Sequence, residues 1–145
     1  MSDYANALGR LLISIVFIYF GFLQFTNIAG YAVNPGVLKF VAFTGNIIPP
    51  VVIAYLVAAI DFFGGLLLLV GFKLRWAAWV LFVFVALTLF FSHAFWTMEG
   101  PAQAANQGQF LKNLALMGAL LLVAFNSPGR CSLDGRAGTS PDYSR

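Results

Sequence analysis

Four long apolar runs, separated by polar or glycine- and proline-containing stretches, set the pattern of this chain. The runs cover residues 8–27, 51–71, 76–96 and 110–125. Each approaches the roughly 20 residues that an α-helix needs to cross the hydrocarbon core of a bilayer. A helix also satisfies its own backbone polar groups, which lipid cannot do. The pattern therefore predicts an all-α fold, a bundle of four transmembrane helices.

The ends of the runs carry helix and membrane signals. Pro49 and Pro50 precede the second run and suit a helix start, and Gly71 suits a helix end. Trp76 and Trp96 lie near the two ends of the third run, where tryptophan anchors a span at the interface. The first run also has the length of a signal-peptide core. Because its removal would leave only three spans, we expect it to be retained.

Polar segments connect the runs and follow the last one. Residues 28–50 alternate Gly, Asn and Pro with apolar side chains, which is typical of a short amphipathic helix lying in the membrane interface. Residues 99–109 are predicted to be a polar loop. Residues 127–145 are rich in Gly, Ser, Pro and charges and are predicted to be a disordered tail. The organisation is therefore one membrane domain, residues 1–126, followed by a tail.

Composition excludes a soluble domain. Hydrophobic residues make up 61% of the chain and charged residues 9%, whereas soluble domains carry about 25% charged residues. The single Cys131 excludes an intrachain disulfide, and the single His93 excludes haem ligation by two histidines of one chain. We expect no metal site. Because the basic residues are scattered, we also expect no nucleic-acid partner.

The basic residues predict the orientation. An even number of spans places both termini on one side of the membrane, and only Lys39 and Lys112 fall on the other side. The basic residues on the side of the termini are Arg10, Lys73, Arg75, Arg130, Arg136 and Arg145. The positive-inside rule therefore predicts cytoplasmic termini in a multi-pass protein of the plasma membrane.

Polar side chains within the runs collect at two depths. With a helical rise of about 1.5 Å per residue, Tyr19 and Asp61 lie near the bilayer midplane, about 13 and 15 Å from the cytoplasmic edge. The same geometry places four further polar residues in the outer leaflet: Gln24, His93, Lys112 and Asn113. Polar side chains of three helices thus gather above a membrane-embedded acid.

Asp61 is the most costly of these residues. An acid at the bilayer centre costs about 2.5 to 3.5 kcal/mol on insertion scales and requires a partner, a proton or a polar cavity. Asp61 is therefore a candidate for handling a proton or anchoring a ligand. Alternatively, it is a protonated acid, bonded to Tyr19 or to a helix backbone, that packs beside Gly64 and Gly65. Straight helices place it about 12 Å below His93, so no direct pair of the two is expected.

His93 lies one helical turn from Trp96, where its imidazole could bond a quinone headgroup, donate a proton or contact a partner protein. The alternative is an interfacial histidine bonded to water or loop backbone. Asn113 needs a hydrogen-bond partner, for which His93 is a candidate, and Lys112 could simply extend to the surface. The candidate catalytic residues are Asp61 and His93, and the candidate ligand-binding residues are Tyr19, Gln24, Trp96, Lys112 and Asn113.

Several short motifs occur in a distinctive order and spacing: Arg10, Gly21-Phe22-Leu23-Gln24, Asp61-Phe62-Phe63-Gly64-Gly65, Gly71, Arg75, His93-Ala94-Phe95-Trp96, Phe110-Leu111-Lys112-Asn113-Leu114, Gly118 and Ser132-Leu133-Asp134. Together they resemble the pattern of the DoxX family of small bacterial membrane proteins. Two positions depart from the family pattern. This chain has Gln24 where a lysine is usual, which removes a possible counter-ion, and Asp61 where a glutamate is usual, which shortens the reach of the acid.

The resemblance implies a four-helix membrane bundle and, in some relatives, redox work, as in the small subunit of thiosulfate:quinone oxidoreductase. The leading hypothesis is a subunit of a bacterial redox system that binds a quinone or another small apolar ligand in an outward-facing polar pocket. The enzymatic role considered is that of an accessory subunit of a quinone-linked oxidoreductase. The alternatives are a non-enzymatic scaffold that docks a partner and a pathway for protons or small solutes. Besides the lipid bilayer, the candidate partners are a redox protein subunit and a second copy of the chain.

Overall fold

The computed structural model describes residues 3–126 and 129–137, and within these ranges every regular element is a helix. The long helices are α1 (Asp3–Thr26), α4 (Pro50–Val70), α5 (Leu74–Phe91) and α6 (Gly100–Phe125). The short ones are α2 (Ile28–Ala32), α3 (Pro35–Phe43), a 3-10 turn (Phe95–Thr97) and α7 (Leu133–Arg136). Among the described residues, four helices are long and apolar enough to cross a membrane. The predicted all-α bundle of four spans is confirmed.

The prediction for the connection between the third and fourth spans is wrong. The third span, which comprises α5 and the 3-10 turn, runs to Thr97 and agrees with the predicted end at residue 96. α6, however, begins at Gly100, so most of the predicted loop 99–109 is helical. Pro101 lies in the first turn of α6, where its missing N–H breaks no hydrogen bond. The alanines and glutamines that follow are good helix formers. After Pro101 the stretch contains a single residue of low helix propensity, Gly108, so the polar segment extends the fourth helix.

The turn between α4 and α5 is tight, as its length suggests. α4 runs from Pro50 to Val70 and is capped by Gly71, which has a φ of 67° and donates its N–H to the carbonyls of Leu67 and Leu68. Lys73 follows with a φ of 44°. Two residues in the left-handed region reverse the chain within a few residues, and α5 returns beside α4.

Glycines bring α1 and α4 into close contact. A Cβ atom on Gly21 would lie 2.5 Å from the backbone nitrogen of Phe62, and one on Gly65 would lie 2.9 Å from that of Ile18. Only glycine permits this approach, in which packing rather than hydrophobic transfer stabilises the helix pair within lipid. α5 packs in turn against α6, whereas α1 and α6 touch only slightly. The bundle is therefore least filled between α1 and the α5–α6 pair.

The segment between the first two spans folds into two short helices that pack against the bundle. Asn27 and Asn34 cap α2 and α3, their side-chain oxygens accepting the N–H groups of Gly30 and Gly36. On α3, Val37 and Val41 are buried against Ile53 of α4. The opposite face of α3 carries exposed Leu38 and Phe43. The segment thus contains two short helices where the sequence predicts one, and it closes the end of the bundle opposite the termini.

The tail prediction is wrong for residues 129–137, where the chain forms a turn and α7. The Asp134 carboxylate accepts the N–H groups of Lys73 and Leu74 at 2.9 and 2.8 Å. These donors belong to the start of α5 and would otherwise have no helical partner. Arg10 of α1 donates to the Cys131 carbonyl at 2.7 Å. Long-range bonds thus order this part of the tail, while residues 127–128 and 138–145 lie outside the described residues.

Candidate functional site

A cavity of about 440 Å³ lies where α1 and the α5–α6 pair leave the bundle open. α1, α5 and α6 provide most of its walls, Asp61 of α4 contributes from one side, and the segments that follow α1 and α5 close it. Its polar lining residues are Gln24, Tyr31, Asn34, Asp61, Thr88, Ser92, His93, Asn106, Gln109 and Asn113. The cavity therefore lies toward the end of the bundle opposite the termini.

Asp61 is paired with Gln24 across the contact between α1 and α4. The Gln24 amide nitrogen donates to Asp61 Oδ2 at 2.9 Å, and only 4% of the Asp61 surface is exposed. Gln24 faces α4 because it lies three residues after Gly21, on the same side of α1. Tyr19 lies two residues before Gly21, and 57% of its surface is exposed on the outside of the bundle. The alternative in which Tyr19 bonds Asp61 is therefore wrong.

The second polar atom of the Gln24 amide has no hydrogen-bond partner among the described residues. Gln24 Oε1 is buried although Gln24 itself lines the cavity. A buried acceptor without a donor costs about 1 to 3 kcal/mol, so native structures supply one from protein, water or ligand. The amide therefore offers an acceptor to a hydroxyl or N–H group that enters the cavity.

His93 is held by Asn106 of α6, not by Asn113. His93 Nδ1 lies 3.1 Å from Asn106 Oδ1, and Asn106 Nδ2 donates to the Ala102 carbonyl at 3.0 Å. Because the amide nitrogen is already engaged in that bond, Oδ1 acts as the acceptor and Nδ1 of His93 carries the proton. In the neutral ring Nε2 is then an acceptor. Asn113 lines the same cavity and is available to other groups.

Four of the residues that the sequence singles out line the cavity: Gln24, Asp61, His93 and Asn113. The other three do not. Lys112 is exposed on α6, and Trp96, 53% exposed, packs its ring against Phe95 and Phe110 with centroids 5.4 and 5.8 Å apart. Together with Tyr19, these side chains lie on the outside of the bundle. The structure therefore does not support the prediction that Tyr19, Trp96 and Lys112 bind a ligand in this cavity.

The sequence reasoning missed the rest of the polar lining. Asn106, Gln109 and Asn113 follow one another at intervals of three and four residues and so share one face of α6. That stripe was recognisable from spacing, but the assignment of residues 99–109 to a loop concealed it. Thr88 of α5 and Ser92, which caps the end of that helix, are likewise four residues apart. Ordinary hydroxyl residues in an apolar run carry little signal of their own.

Tyr31 of α2 closes the cavity with a hydroxyl that stays protonated. Burial and, to a smaller extent, the negative charge of Asp61 raise the pKa of Tyr31 from 10.0 to about 12. At neutral pH the phenol is therefore a hydrogen-bond donor. The cavity as a whole presents donors and acceptors, and its lining includes both the carboxyl group of Asp61 and the imidazole of His93.

Comparisons with known proteins agree with this fold. The DoxX family model matches residues 5–94, which run from the start of α1 through His93. The chain belongs to the DoxX family. It is 33% identical over 130 residues to the inner membrane protein YphA of Escherichia coli, covering 89% of this chain and 87% of YphA. It is 32% identical over 134 residues to the inner membrane protein YqjF of the same organism, covering 92% of each.

The family assignment bears on location more than on chemistry. Both relatives are named as inner membrane proteins, and with its four apolar helices this DoxX protein is a bacterial inner-membrane protein. No solved structure matches the chain significantly. The family match includes Gln24, Asp61 and His93 but stops before the α6 stripe.

Proposed function

We propose that this DoxX protein is a membrane subunit of a bacterial redox system and binds a quinone headgroup in the polar cavity. The observation that carries the proposal is the buried, unpartnered Gln24 Oε1 beside Asp61, within a cavity of about 440 Å³. Small-molecule sites have volumes of about 300 to 1,000 Å³ and combine apolar walls with a few convergent polar groups. A compact ring with polar atoms at opposite ends suits such a lining.

The polar groups match both redox forms of a quinone. A hydroquinone hydroxyl can donate to Gln24 Oε1 or to His93 Nε2, and a quinone carbonyl can accept from the amides of Gln109 or Asn113. Reduction of a quinone to a hydroquinone takes up two electrons and two protons. Tyr31 stays protonated at neutral pH, and the other titratable side chains that line the cavity, Asp61 and His93, can supply or receive protons. The electrons would come from a partner redox protein.

The proposal includes an orientation. The cavity lies toward the end of the bundle opposite the termini, and the basic residues Arg10, Lys73 and Arg75 lie toward the side of the termini. The positive-inside rule then places the termini in the cytoplasm and the cavity in the outer half of the membrane. A reporter enzyme fused to the C-terminus tests this directly, because reporters active only in the cytoplasm or only in the periplasm give opposite results.

The ligand is tested by mass spectrometry of small molecules that copurify with the protein in mild detergent. Quinone should accompany the wild-type protein and decrease about two- to tenfold in Gln24→Leu and His93→Ala, since each loses a hydrogen bond worth about 0.5 to 1.5 kcal/mol. Lys112→Gln serves as the control, because Lys112 lies outside the cavity. Folded wild-type protein without any specific small molecule would favour the scaffold function.

A further inference from the structure

A second cavity, of about 180 Å³, lies next to the polar one, between α3, α4 and α5. Its walls are almost entirely apolar and include Val37, Ile53, Leu56, Val57, Leu87 and Phe91. An engineered apolar cavity of about 150 Å³ admits a benzene molecule. The second cavity therefore has room for a short stretch of hydrocarbon.

The two cavities share a wall. Tyr31, Phe84, Thr88 and Ser92 line both of them, so a single layer of side chains separates the polar space from the apolar one. The Thr88 hydroxyl donates to the Phe84 carbonyl of its own helix at 3.0 Å and does not bridge to α4. No hydrogen bond described across this wall ties α5 to α4. Side-chain packing therefore forms this wall, and the described hydrogen bonds do not reinforce it.

The apolar cavity also reaches the lipid-facing surface. Leu56 of α4 and Leu87 of α5 line it, yet 51% and 44% of their surfaces are exposed on the outside of the bundle. The cavity thus forms a slot between α4 and α5 that faces the hydrocarbon of the bilayer at one end and the polar cavity at the other. A molecule dissolved in the membrane could use it without crossing water.

We propose that the slot holds the hydrocarbon tail of the same ligand whose polar head occupies the polar cavity. The inference rests on the proposed function and narrows it to an amphipathic lipid with a compact hydrogen-bonding head and an aliphatic tail, entering sideways between α4 and α5. The shared wall carries the assignment, because it places a tail-sized apolar space directly beside the head site. The part of the tail beyond the slot extends into the bilayer.

The slot determines which ligands can bind and contributes little to the free energy of binding. A tail gains little by moving from lipid into an apolar cavity, since the two environments are equally apolar. A tailed ligand, however, can place its head in the polar cavity only if the slot between α4 and α5 has room for the tail. Filling the slot should therefore exclude a tailed ligand and leave a tail-less headgroup unaffected.

The test measures equilibrium binding of two probes to the full chain in nanodiscs: the tail-less ubiquinone headgroup and its decyl derivative. Leu56→Trp and Leu87→Trp, which fill the slot from α4 and from α5, should weaken binding of the decyl compound at least tenfold and that of the headgroup less than twofold. Leu69→Trp is the matched control, because Leu69 of α4 is exposed and lines neither cavity. It should leave both affinities unchanged.

The other outcomes separate the inference from the proposed function. If the wild type binds both probes and the slot-filling variants weaken both equally, or neither, the tail assignment is wrong and the head site stands. If the folded wild type binds neither probe, the head site itself is wrong and the tail assignment falls with it.

Discussion

Gly21→Ala should separate α1 from α4 and break the pair on which the site depends. The added Cβ would lie 2.5 Å from the backbone nitrogen of Phe62 and 2.8 Å from its Cα. Backbone atoms cannot rotate away, so an ordinary contact of 3.4 Å requires the helices to part by the difference, 0.9 Å. Gln24 lies one turn further along α1. A shift of that size along the bond would lengthen the 2.9 Å hydrogen bond to Asp61 to about 3.8 Å, beyond hydrogen-bonding distance.

The expected loss of stability follows from overpacking. Forcing an extra group into a well-packed contact costs about 1 to 3 kcal/mol, and the unpaired polar groups of Gln24 and Asp61 add to it. The assay is unfolding in mixed detergent micelles, with Gly118→Ala as the matched control. A Cβ on Gly118 meets nothing within 4 Å, so alanine there should be neutral or stabilise α6 by about 0.5 to 1 kcal/mol. Equal stability of Gly21→Ala and the wild type would refute the close contact of α1 and α4.

Three further predictions concern the ends of the bundle and the cavity wall. Asp134→Ala should lower the free energy of unfolding by about 1 kcal/mol and speed hydrogen exchange at the start of α5, because it removes the cap. Glu99→Ala is the control, because Glu99 makes no side-chain cap on α6, and it should have neither effect. Equal hydrogen exchange in the two variants would contradict the capping by Asp134. Nitrogen NMR of the wild-type protein should show that the neutral His93 ring carries its proton on Nδ1. Asn106→Leu should abolish this tautomer preference. A neutral ring protonated on Nε2 in the wild type would contradict the assignment. The Tyr31 pKa is raised from 10.0 to about 12, so its contribution to stability is complete below pH 10 and is lost as pH rises toward 12. Tyr31→Phe should therefore lose less stability over that range, and an unchanged decline would show that the phenol does not titrate there.

Much of the fold is local and could be predicted from the sequence. Apolar length gives the four spans, and the conformational preferences of Pro50 and Gly71 mark the two ends of α4 correctly. The ordered part of the tail could not be predicted in this way. Asp134 caps α5 from a position 60 residues further along the chain, and no local pattern reveals such a partner. Residues that look disordered by composition can be fixed by a few long-range bonds.

The candidate site could be predicted only in part, because the sequence does not show in which direction each side chain points from its helix. Helical rise estimates depth, so Gln24 and Asn113 were identified as polar positions at the right level of the bundle. Depth does not say which way a side chain points, and Tyr19 and Trp96 lie on the outer surface instead. The close packing of α1 on α4 determines that Gln24 rather than Tyr19 meets Asp61. That contact depends on the tertiary packing of two helices distant in sequence.

The most direct test of the account is a binding titration of the purified wild-type protein with the tail-less ubiquinone headgroup, compared with Gln24→Leu. The cavity contains a single buried acceptor without a donor among the described residues, Gln24 Oε1. We expect saturable binding to the wild type, stronger for the reduced headgroup because its hydroxyl can donate to that acceptor, and at least a twofold loss in Gln24→Leu. The absence of saturable binding to folded wild-type protein in either redox form would contradict the account.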